Sequence, residues 1–320
     1  MIVDLHAHLL PPALAEALRG RTTAPRIDGA RLVMPVGALA YASAYEDPVE
    51  RLAAMDAAGV DRQLLSLPGL FGIDSLPADQ AAPLTRAFNE GMAEIAAAHP
   101  DRFAWLASLP LADPGAAMTE LARAMDDGAL GVILPCGAMT SVARARAIAG
   151  AILDLMNARG GGHVFVHPGR APDQPEPPPD PYPDLAHARR QIDIQTEIAE
   201  AAVTLLYSDL LDDYPTLTVQ VANLGGVLPM VSERISEVIA GRGLDAPDMD
   251  LRGRRMVFDV ASMGPRAIEI AVGVFGADAI VLGTDQPIFG LSERLEAIAA
   301  TTIGIEAQQT ILSGGARLLG

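Results

Sequence analysis

MIVDLHAHLLPP, residues 1–12, is the stretch on which both the fold and the candidate chemistry depend. Its apolar beginning predicts a short buried strand, and His6 and His8 follow with one residue between them. Side chains alternate faces along an extended strand, so the two imidazoles point the same way. Two prolines then end the strand and can open a helix. The stretch predicts half of a metal site at the end of a first strand, or two ordinary polar residues entering a loop.

The composition favours an α/β protein with a large core. Of the 320 residues, 50% are hydrophobic and only 4% are aromatic, which suits helices packed on buried parallel strands. The formal net charge is −17 and no basic cluster stands out, so we expect no binding to nucleic acid. The single cysteine, Cys136, excludes an internal disulfide and fits a reducing cytoplasm. With no signal peptide and no membrane-spanning run, we expect a cytoplasmic protein without membrane contacts.

Segments typical of strands alternate with helical segments along the rest of the chain. After the first strand they cover residues 62–67, 103–109, 131–134, 163–167, 217–222, 256–260 and 279–282. Helices between successive strands imply parallel pairing with right-handed crossovers. Eight such units predict a (β/α)8 TIM barrel that forms one domain over residues 1–320, with an open doubly wound sheet as the alternative. The missing Gly-rich turn after the first strand counts against a dinucleotide-binding sheet.

Two segments interrupt the alternation. Residues 20–46 contain scattered glycine, proline and arginine, and they predict an irregular insertion after strand 1. Residues 168–183 contain so many prolines that they predict an extended, stiff loop after strand 5. Both follow strand ends, the side on which such a barrel carries its active site.

Polar side chains follow several predicted strands at their carboxyl ends. Beyond the two histidines of strand 1, the fifth strand ends in His167, Asn223 follows the sixth, and Asp285 follows the eighth. Three imidazoles and one carboxylate can form a mononuclear site that zinc accepts and that also admits manganese or iron. His163 faces the same way as His167 but lies roughly 13 Å lower at strand rise, so it should pack or hydrogen-bond rather than ligate.

These residues stand in segments that resemble the amidohydrolase superfamily, and most closely its branch of aminocarboxymuconate semialdehyde and resorcylate-type decarboxylases. The resemblance covers nearly the whole chain. It rests on MIVDLHAH (1–8), DPVERLAAMDAAGVDRQLLSLPG (47–69), HVFVHPG (163–169), YPTLTVQVANLGGVLPMVSERI (214–235) and FGADAIVLGTDQPI (275–288). It implies His6, His8, His167 and Asp285 as the metal ligands, with zinc as the usual metal and manganese in some members. It also implies a small-molecule carboxylate substrate and a homodimer.

The chain departs from this family pattern at Asn223. The family has a histidine before the Leu-Gly-Gly turn, where it handles protons near the metal. Asparagine can hydrogen-bond but cannot transfer protons near neutral pH. We therefore predict Asp285 as the catalytic proton carrier and Asn223 as a catalytic residue that orients water or substrate, with His187 a more distant candidate for the proton.

Decarboxylases of this branch need a cation for the substrate carboxylate, and arginine's planar fork suits that task. The sequence predicts Arg170, directly after HVFVHPG, and Arg51 as substrate-binding residues, and Arg189 and Arg190 as a solvated helix face. The predicted function is non-oxidative decarboxylation of a small aromatic or unsaturated acid. The alternatives are a metal-dependent hydrolase of a lactone, ester or amide with Asp285 as proton shuttle, and a degenerate member that only binds a ligand.

Overall fold

A computed structural model describes residues 1–35, 37–175, 178, 180–244 and 255–319. Eleven strands lie within these residues. They are β1 (Val3–His8), β2 (Arg26–Asp28), β3 (Arg31–Met34), β4 (Gly37–Ala40), β5 (Arg62–Ser66), β6 (Phe103–Trp105), β7 (Gly131–Pro135), β8 (Gly162–His167), β9 (Leu217–Val221), β10 (Met256–Asp259) and β11 (Ile280–Val281). All of them except β2 to β4 belong to one parallel ring.

The ring closes through backbone hydrogen bonds between two parallel ladders, β1-β5-β6 and β7-β8-β9-β10-β11. At one join, the Ala107 amide donates to Gly131 O at 2.9 Å and the Ile133 amide donates to Ala107 O at 3.1 Å. At the other, the Leu5 amide donates to Leu282 O at 2.9 Å and the His8 amide donates to Gln286 O at 2.7 Å. The predicted (β/α)8 barrel is therefore confirmed.

Helices cover the outside of the ring between successive strands. The described ones are α1 (Pro12–Arg19), α2 (Pro48–Ala58), α3 (Ala78–Ala98), α4 (Pro114–Asp126), α5 (Val142–Ala158), α6 (Pro183–Tyr207), α7 (Leu228–Ala240), α8 (Pro265–Phe275), α9 (Leu291–Ala299), α10 (Ile305–Ser313) and α11 (Ala316–Leu319). Local chemistry starts several of them, since Asp47, Asp113 and Ser141 accept backbone N–H groups at the first turns of α2, α4 and α5. Among these helices, none is both long and apolar enough to cross a bilayer.

The insertion after β1 is ordered, which corrects the prediction that residues 20–46 are irregular. Strands β2, β3 and β4 form a three-stranded antiparallel sheet, followed by a short 3-10 turn at Ser43–Tyr45. Gly29 makes the β2–β3 turn with a φ of 57°, and Ile27 and Leu32 are the buried members of these strands. Strands of three or four residues are too short to show a clear alternation of apolar and polar residues, so the sequence does not predict this sheet.

The proline-rich loop after β8 is tied to the barrel by side chains at its beginning. Asp173 forms an ion pair with Arg144 of α5 at 2.6 Å, and Gln174 donates to Glu197 of α6 at 2.9 Å. These contacts join residues 173 and 174 to α5 and to the middle of α6, while the predicted stiffness of the loop concerns residues that include 176, 177 and 179, which lie outside the described residues.

Candidate metal centre and substrate cavity

Four side chains predicted as metal ligands converge at the carboxyl end of the barrel. His6, His8, His167 and Asp285 each offer one ligand atom, and the four atoms lie within 4.8 Å of one another. His6 Nε2 and His8 Nε2 are 3.2 Å apart, and Asp285 Oδ1 lies 3.5 and 3.1 Å from them. The set comes from β1, β8 and the segment after β11, so strand order alone brings these distant residues together.

Each imidazole is oriented by a contact at its other nitrogen. His6 Nδ1 lies 3.1 Å from Asp259 Oδ1, His8 Nδ1 lies 3.1 Å from Ser66 O, and His167 Nδ1 lies 2.9 Å from Pro168 O. An acceptor at Nδ1 places the ring proton there and leaves the Nε2 lone pair free. All three Nε2 atoms can therefore face a common centre as neutral ligands.

The charges and hydrogen bonds at this centre fit a divalent cation. Asp285 Oδ1 is buried and accepts no hydrogen bond from the described residues, and no described arginine pairs with Asp285 or Asp259. Two buried carboxylates with neutral imidazoles leave a negative charge that is costly without a cation. A hard or borderline ion with nitrogen and oxygen ligands, such as zinc or manganese, matches this donor set.

The protonation of the histidines is consistent with this arrangement. Burial would lower the pKa of His6, but the carboxylates of Asp259 and Asp285 outweigh it and raise the pKa to about 10. Burial lowers the pKa of His8 and holds the pKa of His167 well below its usual range. Burial would raise the pKa of Asp285, yet the neighbouring His6 and His8 lower it overall. The carboxylates of Asp259 and Asp285 thus favour positive charge at this centre, which a divalent cation would supply.

Asn223 lies beside this centre in a constrained conformation. Its φ is 55°, in the left-handed region that asparagine tolerates better than most residues. Its Nδ2 donates to Ser262 Oγ at 3.2 Å, and its buried Oδ1 has no hydrogen-bond donor among the described residues. The amide can therefore offer an oriented hydrogen bond to a bound molecule, but no proton transfer.

A cavity of about 420 Å³ opens above the centre. His167, Asn223, Ser262 and Asp285 line its polar floor, and Arg190 and His187 of α6 line its wall. The remaining wall is mostly apolar, and it includes Met34, Leu39, Leu70, Phe71, Ile194, Ile288 and Phe289. A largely apolar cavity with a few convergent polar groups is typical of a small-molecule site.

The arginine that lines the cavity is Arg190, and neither of the two arginines predicted to bind substrate lines it. Arg51 is 1% exposed, and its guanidinium donates to His8 O at 2.7 Å and Gln63 Oε1 at 3.2 Å. It therefore stabilises the end of β1 and does not face a substrate. Arg170 donates to Gln174 O and lines a narrow pocket next to the cavity. Arg190, predicted as a solvated residue, instead lines both the cavity and that narrow pocket, which corrects the prediction.

Three other predicted residues have clear positions. His163 hydrogen-bonds with Thr218 Oγ1 and Gln220 Oε1 below the centre, as its spacing indicated. Cys136 is buried, with Sγ 3.6 Å from Gly169 O, and burial raises the pKa of its thiol. His187 is exposed at the rim of the cavity.

Sequence reasoning missed Asp259 and Ser66, which orient two of the rings. Both stand at strand ends, in MVFDV and RQLLSL, which was the available signal. Their roles depend on which neighbouring strand they face, and a single strand's pattern does not contain that information.

A family model described as "Amidohydrolase" matches residues 3–319. The chain belongs to the amidohydrolase family. This amidohydrolase is 30% identical over 290 residues to a gamma-resorcylate decarboxylase of Rhizobium radiobacter, covering 79% of this chain and 80% of the relative. It is 26% identical over 313 residues to a 2-amino-3-carboxymuconate-6-semialdehyde decarboxylase of Dictyostelium discoideum, covering 91% and 82%.

Solved structures share the fold of this amidohydrolase. A dihydroxybenzoic acid decarboxylase from Polaromonas, solved with manganese and the inhibitor 2-nitroresorcinol, matches with a TM-score of 0.72 at 20% identity. The match covers 99% of this chain and 96% of that chain. At this identity the likeness supports the barrel architecture.

Proposed function

We propose that this amidohydrolase is a metal-dependent lyase that removes carbon dioxide, without oxidation, from a small aromatic or unsaturated carboxylic acid. The observation that carries the proposal is the convergence of His6, His8, His167 and Asp285 at the floor of a largely apolar cavity. The decarboxylase names of the two relatives described above support the same reaction class.

The reaction replaces a carbon–carbon bond with a carbon–hydrogen bond. The substrate carboxylate leaves as carbon dioxide, the bonding electron pair stays on the carbon, and one proton is taken up. All 23 basic residues of the sequence are arginine and none is lysine, so no side-chain amine can form an imine to accept those electrons. A divalent ion held by the three imidazoles and Asp285 would supply the Lewis acid that withdraws electron density from the substrate.

Asp285 is the best-placed group to move the proton. Its side chain is 13% exposed, against 1% for His6 and His8, so it faces the cavity more than the rings do. A carboxyl within reach of the reacting carbon can take a proton from solvent and deliver it. Asn223 would orient a substrate hydroxyl or a water through its unpaired Oδ1, which accepts a hydrogen bond but transfers no proton.

Arg190 supplies the positive charge that an acid substrate needs. Its Nε–H is buried and donates to no acceptor among the described residues. Neither Arg51 nor Arg170 lines the cavity, and no lysine is available. We therefore assign Arg190 the binding and orientation of the anionic substrate, in place of the two arginines predicted from sequence.

Metal identity, assembly and compartment are part of the same proposal. Three histidines and one carboxylate suit zinc, with manganese as the alternative that the Polaromonas neighbour contains. A homodimer is supported by exposed apolar side chains on α7 and α8, among them Met230 and Ile270. A cytoplasmic location is supported by the single buried cysteine.

The test combines metal analysis with product analysis. The purified protein should contain about one metal ion per chain, and it should release carbon dioxide from members of a panel of hydroxybenzoates and muconate-type acids. In heavy water, the product should carry one deuterium at the carbon that lost the carboxylate. The variant Asp285→Asn should lose turnover, whereas Asp278→Asn, at an exposed position, should keep it.

Each alternative function gives a different result in the same test. Turnover of lactones or esters without carbon dioxide would indicate the hydrolase, in which proton transfer by Asp285 suffices without a histidine at position 223. Binding of the acids without any turnover would indicate a degenerate ligand-binding member. Protein prepared without any stoichiometric metal, and inactive after zinc or manganese is added, would refute both enzymatic functions.

A further inference from the structure

Asp259 makes polar contacts with several different segments of the barrel. It stands at the end of β10 and is fully buried. Its Oδ1 lies 3.1 Å from His6 Nδ1 in an ion-pair contact. The same oxygen accepts hydrogen bonds from the backbone amides of Asn223 at 3.2 Å and Ala261 at 3.1 Å. Its Oδ2 accepts Gln220 Nε2 at 2.7 Å. The carboxylate of Asp259 thus contacts both the ring of His6, a candidate metal ligand, and the backbone of Asn223, which lines the cavity.

His163, which lies deeper in the barrel, fixes the orientation of the Gln220 side-chain amide. Gln220 Oε1 lies 3.0 Å from His163 Nε2, and His163 Nδ1 lies 2.9 Å from Thr218 Oγ1. Gln220 Nε2 also donates to Leu5 O at 3.2 Å. With its oxygen engaged by His163, the amide of Gln220 must turn its N–H groups towards Leu5 and Asp259. A buried polar chain therefore connects the lower barrel to His6.

The backbone leaves space for the contact between Asp259 and His6. A Cβ on Gly283 would lie 2.7 Å from both Asp259 Cβ and His6 Cβ. Real Cβ atoms do not approach this closely, so any larger residue would push the two side chains apart. The contact between Asp259 and His6 therefore requires glycine at position 283.

We propose that Asp259 is a positioning residue that sets the metal ligand His6 and the residue Asn223 together. Its Oδ1, 3.1 Å from His6 Nδ1, favours the ring orientation and tautomer that leave Nε2 free for the metal. The same oxygen holds the Asn223 backbone in its left-handed conformation, with a φ of 55°. This inference rests on the metal site of the proposed function, and it predicts that Asp259 determines metal affinity without touching the metal.

The test compares two buried carboxylates. Asp4 is also fully buried, and it accepts the His6 backbone amide and the Thr284 hydroxyl but contacts no ring nitrogen. For Asp259→Asn we expect zinc affinity, measured by competition with a chromogenic chelator, to fall 10- to 100-fold, about the loss typical when such outer partners are removed. For Asp4→Asn we expect a change of less than about fivefold, because the ring is not held by that group.

A reversed pair separates orientation from a general loss of packing. In Asp259→Asn, the new amide presents N–H groups to the N–H groups of Gln220, so the contact is broken. In the double variant Asp259→Asn/Gln220→Glu, the introduced amide can donate to the introduced carboxylate and keep its oxygen towards His6. The single variant Gln220→Glu measures separately the effect of losing the donor to Leu5 O, and recovery is judged after that effect is subtracted. We expect the double variant to recover at least tenfold of the lost zinc affinity, which a merely structural defect would not do.

Three results would overturn the inference. The first is zinc affinity within twofold of the parent in a folded Asp259→Asn variant. The second is an equal loss in Asp4→Asn, and the third is no recovery in the double variant. If Asp259→Asn does not fold, Gln220→Met gives the same comparison, because it releases Asp259 without removing its charge. A parent protein that binds no zinc or manganese would overturn the proposed function as well, whereas the other results leave that function intact.

Discussion

The buried carboxyl of Asp74 should make this protein less stable at alkaline pH. Asp74 lies in the loop after β5, close to Leu70 and Phe71, which line the cavity. It is 6% exposed, and its Oδ1 accepts no hydrogen bond from the described residues. Burial raises the pKa of Asp74 to about 7, although the backbone amides of Asp74 and Ser75 partly offset it. The perturbation is Asp74→Asn, which keeps the shape and removes the ionisation.

The magnitude follows from the difference between 3.8 and about 7 in this pKa. At about 1.4 kcal/mol for each tenfold change in proton affinity, ionising Asp74 in the folded protein costs up to about 4 kcal/mol. The folded protein binds this proton more tightly than the unfolded chain does, so the cost is absent below pH 3.8 and complete above about pH 7. Asp74→Asn should therefore raise the free energy of unfolding by about 2–4 kcal/mol at pH 8 and by about 1 kcal/mol at pH 4.5.

Urea unfolding at both pH values, followed by circular dichroism, measures this difference. Asp101→Asn is the matched control, since it removes the same charge at an exposed position and should change stability by less than about 0.5 kcal/mol. An equal gain for Asp74→Asn at pH 4.5 and pH 8, or no gain at pH 8, would refute the reasoning. Either result would mean that burial does not raise the pKa of Asp74, so that ionisation of this carboxyl does not destabilise the folded protein.

Three further predictions concern the cavity and the centre. Arg190→Gln should raise KM for an acid substrate at least about tenfold. Arg189→Gln, which removes an exposed ion pair with Asp180, should change KM less than about twofold. Steady-state kinetics measures both effects, and equal changes in KM would contradict the prediction. Asn223→His should raise kcat if proton delivery limits turnover, and a lower kcat with a normal fold would show that the amide has its own role. Gly69→Ala would place a Cβ 2.7 Å from Pro168 O, so it should displace the loop against His167 and weaken zinc binding in chelator competition; unchanged affinity would contradict that contact.

The barrel could be predicted from sequence because its strands are buried runs separated by helical periodicity. The eight predicted strand segments all occur. The helices between them also carry local signals in the sequence, such as the capping Asp113 of α4 and the prolines at the first positions of α4 and α8. The antiparallel sheet β2–β4 was missed, because its strands are short and its order depends on packing over the mouth.

Part of the centre was also accessible from sequence. His6, His8, His167 and Asp285 stand directly after strands, and parallel strands bring their carboxyl ends to one rim. Arg190 was misjudged because its role depends on how α6 is rotated and where it starts, and sequence periodicity defines neither to within one residue. The order along the chain thus predicts which residues meet, but the rotation of each helix decides which reach the cavity.

The seam that closes the barrel also determines when the centre can form. The carbonyl of His6 accepts the amides of both Thr284, at 3.1 Å, and Asp285, at 2.7 Å. Because a chain emerges from the ribosome from its amino terminus onwards, β1 is made long before the segment that closes the barrel against it. Until residue 285 has emerged, the two histidines of β1 have neither their carboxylate partner nor their closing strand. The four candidate ligands can therefore meet only after residue 285 has been made, and a translation product that ends before it would have no complete centre with which to compete for the ion.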